Sequence, residues 1–186
     1  INDGYSYPAL RNEGEYSWIY ENANKYGMIL RYTEENSHIT GYMAESWHFR
    51  YVGEPHASLI SKMGISFEEY IGFLKDFSFE NPLEYRYSDN EFYKIYFVPA
   101  DIENGSTDVP ITYEAFENKD NGFSVSGNNA DGFIVTLKTS ELSDDYDESF
   151  LYMFNPTVNS QTAVPEENVQ DIEETEAGYD TDSVIG

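Results

Sequence analysis

The spacing of apolar residues changes near Asp76, and this change constrains the fold more than any other feature of the chain. Before it, apolar residues recur at helical spacing, as in Trp18, Ile19, Ala23 and Tyr26. After it, large apolar residues alternate with polar ones, which is typical of strands with one buried face. Helical and strand segments do not alternate in βαβ fashion. We therefore predict an α+β fold, an antiparallel sheet with helices packed on one side.

The first part of the chain is predicted to contain helices and two short strands. The pattern predicts a helix over 13–26 closed by Gly27, strands over 28–32 and 47–52, and helices over 55–63 and 66–74. Residues 34–37 are predicted to be a loop. The last helix opens with Ser66 and Glu69 in the spacing of a capping box. In the second strand, alternation would aim His48 and Arg50 to the same side.

The second part is predicted to form two β-hairpins. Residues 83–87 and 92–98 flank a turn at 88–90, and residues 123–126 and 132–137 flank a turn at 127–129. Two hairpins with an apolar face can form a small antiparallel sheet that packs on the first part. No catalytic pattern is visible in this segment.

The third part, residues 141–186, is acidic. It holds 13 Asp and Glu and no Lys or Arg. Because few apolar residues offset the entropy of ordering it, we expect a disordered, solvated tail beyond about Asn155. The aromatic residues 150–154 are an exception, because they can pack against the folded part of the chain. The predicted divisions are therefore 1–76, 77–140 and 141–186.

Composition excludes several classes of function. The chain has 35 acidic against 10 basic residues and a net charge of −25, so nucleic acid is excluded as a partner. It has no Cys, which excludes disulfides and Cys-bound zinc. It has no apolar run of 18 residues, so no transmembrane segment is predicted. A metal site would have to use His, Asp and Glu.

The three histidines differ in their surroundings. His38 lies in a polar segment and is expected at the surface, and His56 in a helical first turn is expected to face solvent or bond locally. His48 follows Glu45 by three positions. A carboxylate so placed can lie beside a metal held by His48 and still act on a metal-bound water.

A longer string around this pair carries a family resemblance. Residues 45–53 read ESWHFRYVG, preceded by GYM at 41–43 and YGMILRY at 26–32. Together with Glu21-Asn22-Ala23 and His56-Ala57, this string resembles the C-terminal half of the catalytic domain in VanY-type D-alanyl-D-alanine carboxypeptidases. These are zinc peptidases of the bacterial cell wall, within the zinc DD-peptidase and hedgehog-like fold family. The resemblance covers about residues 13–72.

The resemblance implies roles for individual residues. In the family, zinc is bound by the His and Asp of a Ser-x-His-x-x-Gly-x-x-x-Asp motif and by the His of a Glu-x-x-His motif. Carried over, His48 is a Zn²⁺ ligand and Glu45 is the catalytic base. Trp47 and Arg50 are weaker candidates for substrate binding: Trp47 suits a core or pocket wall, and Arg50 could hold a carboxylate or pair with a nearby acid.

The upstream motif is absent from the sequence. The family spacing places it just before Ile1, so we expect it there; Asp3 is given little weight as the ligand. With one His and no upstream pair, this chain has too few ligands for a catalytic zinc site. We therefore expect the chain alone to be inactive and its parent protein to be active.

Two functions of different class remain open at this point. The first is a zinc-dependent D,D-carboxypeptidase that removes terminal D-Ala from peptidoglycan stem peptides, with residues 1–76 as the C-terminal portion of its catalytic domain. The second is a non-catalytic cell-envelope binding or assembly module derived from such a peptidase. Both imply an extracytoplasmic location in the bacterial cell envelope, with a signal or anchor expected upstream of Ile1.

Overall fold

The computed structural model describes residues 10–117 and 122–154. Its α-helices are α1 (Ser17–Asn22), α2 (Ser37–Thr40), α3 (Glu54–Met63), α4 (Phe67–Leu74), α5 (Tyr113–Glu117) and α6 (Phe150–Phe154). Two 3₁₀ helices, Gly14–Tyr16 and Ala23–Tyr26, flank α1, so the helix predicted over 13–26 is α-helical only in its middle part. Its strands are β1 (Met28–Leu30), β2 (Phe49–Tyr51), β3 (Leu83–Ser88), β4 (Glu91–Pro99), β5 (Phe123–Gly127) and β6 (Gly132–Thr139). Within these ranges, none of the helices has the length and apolar character needed to cross a membrane.

Both sheets are antiparallel. Strands β1 and β2 form a two-stranded sheet in which Ile29 pairs with Arg50. The other four strands form a second sheet in the order β3-β4-β6-β5. Hairpins β3-β4 and β5-β6 occupy the predicted positions. The predicted α+β class, with antiparallel sheets and helices, is confirmed.

The segment before β2 differs from the prediction. The last residue of the predicted loop at 34–37 is the first residue of α2. This helix is a single turn, which is too short to show a helical period in the sequence. The predicted strand at 47–52 begins only at Phe49, because the backbone N–H of His48 donates to the carbonyl of Glu45 at 3.1 Å and closes a turn. The backbone at Trp47 and His48 is therefore bent rather than extended.

Gly27 allows β1, β2 and α3 to meet closely. Its φ is 72°, in the left-handed region that favours glycine. A Cβ at this position would lie 2.7 Å from the Tyr51 ring and 3.0 Å from the backbone of Gly53 and Glu54. The carbonyl of Gly27 also accepts from the backbone N–H of Val52 at 2.8 Å. The start of α3 is thereby fixed to the start of β1.

One hydrophobic core joins the first part of the chain to the larger sheet. It contains buried residues from helices α3, α4 and α6 and from strands β3, β4 and β6, among them Leu59, Met63, Leu74, Tyr85, Ile95 and Leu151. A smaller cluster on the opposite sheet face contains Tyr96, Val135 and Ala115 of α5. The core therefore crosses the predicted boundary at residue 76; the division into separate units there stays a prediction.

The acidic segment is folded as far as Phe154. The backbone N–H of Ser143 donates to Glu84 at 2.9 Å. Phe150 stacks on Phe73 of α4, with ring centroids 6.3 Å apart, and Leu151 is 4% exposed. The predicted docking of residues 150–154 is thus confirmed. The tail predicted beyond Asn155 lies outside the described residues.

Candidate functional site

The loop between β1 and β2 brings Glu45 and His48 together. The backbone N–H of Glu45 donates to the carbonyl of Tyr32 at 3.0 Å, and the carbonyl of His48 accepts from the backbone N–H of Arg31 at 2.8 Å. These bonds fix both ends of the 45–48 turn against the end of β1. The turn directs the two side chains to the same side.

The carboxylate and the imidazole are in direct contact. Glu45 Oε2 lies 2.8 Å from His48 Nδ1, and the two side chains are 31% and 45% exposed. Because Nδ1 is held by the carboxylate, this geometry favours the tautomer in which Nε2 carries the free lone pair. Glu45 Oε1 has no hydrogen-bond partner among the described residues. The pair thus offers one nitrogen ligand and one free carboxylate oxygen.

Two tyrosines support the imidazole. The Tyr32 ring meets the His48 ring edge to face, with centroids 4.7 Å apart. Tyr42 packs in turn on Tyr32 at 4.8 Å. Sequence reasoning missed this contact, although Tyr32 lies within the string that carries the resemblance. Its contact with His48 follows only from the pairing of β1 with β2, which continues past β1 in the bond from Arg31 to His48.

The donor set for zinc is incomplete within the described part of the chain. Nowhere in residues 10–117 and 122–154 do three or more His, Asp or Glu side chains come together to hold a metal ion. A catalytic zinc site needs three protein ligands and an open position. The described residues fit the His–Glu part of such a site and do not fit the whole of it. Asp3 lies outside the described residues.

Trp47 and Arg50 have different surroundings. Trp47 is 60% exposed, which excludes the core position considered from the sequence. The guanidinium of Arg50 lies 4.3 Å from the centre of the Phe67 ring. His48 contacts Tyr32, whereas Arg50 contacts α4, so the two side chains that strand geometry aims together have separate neighbours. The substrate-binding role of both residues stays a prediction.

His56 is the clearest departure from expectation. Its Nδ1 lies 2.7 Å from the hydroxyl of Tyr70 and its Nε2 lies 2.8 Å from the hydroxyl of Thr136. The imidazole therefore bridges α3, α4 and β6 rather than facing solvent, and burial lowers its pKa to about 4. Burial also raises the pKa of Tyr70. No sequence signal connects position 56 with position 136. His38, by contrast, is exposed as predicted.

Comparison with known proteins connects this loop to one family. Residues 7–54 match the family model VanY, described as D-alanyl-D-alanine carboxypeptidase. A D-alanyl-D-alanine carboxypeptidase of Enterococcus faecium is 37% identical over 137 residues, which are 74% of this chain and 41% of that protein. The bifunctional D-Ala-D-Ala dipeptidase and carboxypeptidase VanXYC of Enterococcus gallinarum is 40% identical over 67 residues, 36% of this chain and 35% of that protein.

A solved structure resembles the same region. The crystal structure of the vancomycin-resistance D,D-dipeptidase VanXYg, in complex with a D-Ala-D-Ala phosphinate analogue, superposes with a TM-score of 0.61 and 32% identity. The match covers 71% of this chain and 49% of that one. The chain thus spans less than half the length of the relatives that it matches.

Proposed function

Because residues 7–54 of this chain match the VanY family model of D-alanyl-D-alanine carboxypeptidases, we propose that the chain forms the C-terminal part of a peptidase that removes terminal D-Ala from peptidoglycan stem peptides. The observation that carries the proposal is the contact between Glu45 and His48 inside the matched segment. The carboxypeptidase and dipeptidase relatives support the reaction class.

Each residue of the pair has a proposed role. His48 is one ligand of a Zn²⁺ ion, whose other ligands come from outside the described residues. Glu45 accepts at Oε1 a proton of the water that adds to the scissile carbonyl carbon, and delivers it to the amine of the D-alanine that leaves as the C–N bond breaks. Its contact through Oε2 keeps the imidazole oriented at the same time. Trp47, exposed beside this pair, is proposed to contact the substrate peptide.

One observation favours a second function. The absence of a three-ligand group among the residues that the structure describes suits a non-catalytic module of the cell envelope that binds wall material without cutting it. Both functions place the protein outside the cytoplasm, in the bacterial cell envelope. They differ in whether any form of the protein turns over substrate.

A D-alanine release assay separates the two. The complete gene product, supplied with Zn²⁺, is incubated with an acylated D-Ala-D-Ala peptide and compared with the 186-residue chain alone. The carboxypeptidase proposal predicts D-alanine release by the complete product and none by this chain. Lack of release by both would reject the carboxypeptidase and favour the binding module.

A further inference from the structure

Strand β5 is one edge of the four-stranded sheet. The order β3-β4-β6-β5 places β6 on one side of it, and no strand among the described residues pairs with its other side. Every residue of β5 after Phe123 is exposed. An edge strand presents a row of backbone donors and acceptors with which a further strand can pair.

The bonds between β5 and β6 determine which backbone groups of β5 face outward. The carbonyl of Gly122 accepts from the backbone N–H of Lys138 at 2.8 Å, and the backbone N–H of Asn128 donates to the carbonyl of Gly132 at 2.9 Å. Because backbone groups alternate sides along a strand, the even-numbered residues of β5 direct their N–H and C=O groups to β6. Three residues direct both groups outward: Phe123, Val125 and Gly127. Within residues 10–117 and 122–154, these outward groups have no hydrogen-bond partner.

The opposite edge of the sheet, strand β3, is protected. The hydroxyl of Tyr146 accepts from the outward backbone N–H of Arg86 at 3.2 Å. The register between β3 and β4 also shifts after Arg86. Covering groups, bulges and charged side chains are features that keep sheet edges from pairing. Strand β5 has the sequence FSVSG, without charge and without proline, in a chain whose net charge is −25.

The outward side of β5 is complementary to itself. In an antiparallel pair of two copies about a two-fold axis at Val125, each Val125 lies opposite its counterpart and each Phe123 lies opposite Gly127 of the other copy. Every outward N–H then meets an outward C=O. The pair covers Val125, which is 41% exposed and belongs to neither core cluster, and it places an aromatic ring beside a glycine, a combination that stabilises neighbouring strands.

Charge favours a second copy over other occupants of this edge. No charged side chain lies on β5, so the edge has no electrostatic means of selecting a charged peptide. Pairing β5 with itself also brings no like charges opposite each other. Most other self-contacts would oppose acid with acid, because the chain has 35 acidic and 10 basic residues.

We propose that the β5 edge is a self-association site, at which two copies of this chain pair their Phe123–Gly127 strands antiparallel and join their sheets into one. A two-fold contact uses the same surface of both copies, so assembly stops at the dimer. The seam is only five residues long, so the dimer is expected to be weak and to depend on concentration. The inference is independent of the proposed function, since it uses neither Glu45 nor His48.

Sedimentation equilibrium of the 186-residue chain tests for the dimer. The protein is studied from about 10 µM to about 1 mM, in about 0.3 M NaCl to screen the repulsion between acidic chains. We expect the average mass to rise from that of one chain towards that of two and to fit a monomer–dimer equilibrium. A constant mass of one chain, or growth beyond two chains, would overturn the proposal.

Amide hydrogen exchange, followed by NMR at the two ends of this concentration range, tests the place of contact. The amides of Ser124 and Ser126 bond to β6 and should be protected at both concentrations. Those of Phe123, Val125 and Gly127 should gain protection by about threefold or more at the higher concentration only. Equal protection of these three at both concentrations would mean that the same chain covers the edge, and equal exposure at both would mean that nothing does. Either result rejects self-association through β5.

Charge variants at the axis make the test specific. Val125→Lys places two like charges opposite each other and should remain monomeric, as should Val125→Glu, whereas an equimolar mixture of the two should dimerise through opposite charges. Ile102→Lys adds the same charge at another β-branched residue, 85% exposed in the turn after β4, and should associate as the wild type does.

Two outcomes with folded variants would contradict the predicted pairing. These are wild-type association of Val125→Lys, and a mixture of the Lys and Glu variants that stays monomeric. Far-ultraviolet circular dichroism establishes that the variants are folded. The mass and exchange measurements on the wild-type chain need no variant and decide the proposal even if the substitutions at Val125 prevent folding.

Discussion

At the scale of single residues, the contact between Glu45 and His48 gives the two oxygens of one carboxylate different surroundings. Oε2 contacts the imidazole, and Oε1 is the oxygen that we propose accepts a proton. An isolated Glu-x-x-His string is frequent by chance in an acidic chain. The hydrogen-bonded turn at 45–48 and the edge contact of the Tyr32 ring distinguish this Glu-x-x-His string from a chance match, because they fix the positions of the two side chains.

Replacement of Glu45 by Gln tests its role as a base. In the complete gene product, Glu45→Gln should lower kcat by about 10²–10⁴-fold, the usual contribution of a positioned acid or base, and leave the zinc content unchanged. The measurement is D-alanine release together with metal analysis. Glu15→Gln, at an exposed position ahead of α1, is the matched control. A Glu45→Gln enzyme with wild-type kcat would contradict the assignment.

His56 predicts a dependence of stability on pH. Its pKa is about 4 in the folded chain and about 6.5 in the unfolded one, so the unfolded state binds more protons between these values. Its contribution is therefore fully present above pH 6.5 and is lost as pH falls towards 4. The loss amounts to about 3 kcal/mol at most.

Urea unfolding at pH 7, 5 and 4 measures this contribution. The free energy of unfolding of His56→Gln should fall less steeply with acidification than that of the wild type. His38→Gln removes an exposed histidine and should leave the wild-type slope unchanged. Parallel pH profiles for His56→Gln and the wild type would refute the account of His56.

At the scale of elements, the start of α4 determines where Phe67 presents its ring to Arg50. Ser66 and Glu69 form the predicted capping box: the Ser66 hydroxyl accepts from the backbone N–H of Glu69, and the Glu69 carboxylate accepts from the backbone N–H of Ser66 at 2.8 Å. This box satisfies two backbone donors that the helix itself leaves free.

Removal of the cap should cost stability. Ser66→Ala is expected to lower the free energy of unfolding by about 0.5–2 kcal/mol, because buried Ser66 is replaced by a residue that cannot accept the bond. Chemical denaturation compares this variant with Ser124→Ala, a change at an exposed strand position. Equal stability of the two variants would show that the capping box contributes nothing measurable.

Local pattern predicted most elements, and contacts distant in sequence account for what it missed. The capping box, Gly27 and the two hairpins were predictable because each is specified by residues that lie close together in the sequence. The single turn of α2 was missed because one turn carries no period. The bridge from His56 to Thr136 and the place of Arg50 beside Phe67 depend on tertiary packing, which one sequence does not reveal.

In the candidate site, too, the sequence revealed local relations and not the contacts that depend on tertiary packing. Glu45 and His48 were predictable because they lie three residues apart in a recognisable string, and the structure places them 2.8 Å apart. The surroundings of Arg50 were not, since the contact of its guanidinium with the Phe67 ring of α4 does not follow from alternation along a strand. The bend at the 45–48 turn is the physical cause.

At the scale of the whole molecule, one core joins the part of the chain before residue 76 to the larger sheet. Leu59 of α3, Ile95 of β4 and Leu151 of α6 belong to the same buried cluster. A shared core couples the stability of its parts, so we expect a single cooperative unfolding transition on both sides of residue 76.

Core truncation tests this coupling. Leu59→Ala and Ile95→Ala, on opposite sides of residue 76, should each lower the free energy of unfolding by about 2–5 kcal/mol. In each variant, tryptophan fluorescence from Trp18 and Trp47 and far-ultraviolet circular dichroism should report the same denaturation midpoint. Two separate midpoints would indicate that residues 1–76 and 77–140 unfold as independent units, as the sequence division predicts.

The zinc content of the complete gene product tests the central claim most directly. The protein and its His48→Ala variant are purified in the presence of Zn²⁺ and dialysed, and bound metal is measured per chain. We predict about one tightly bound zinc for the wild type and loss of that zinc in His48→Ala, because a catalytic site needs all three protein ligands. Undiminished zinc in His48→Ala, or none in the wild type, would contradict the assignment of His48.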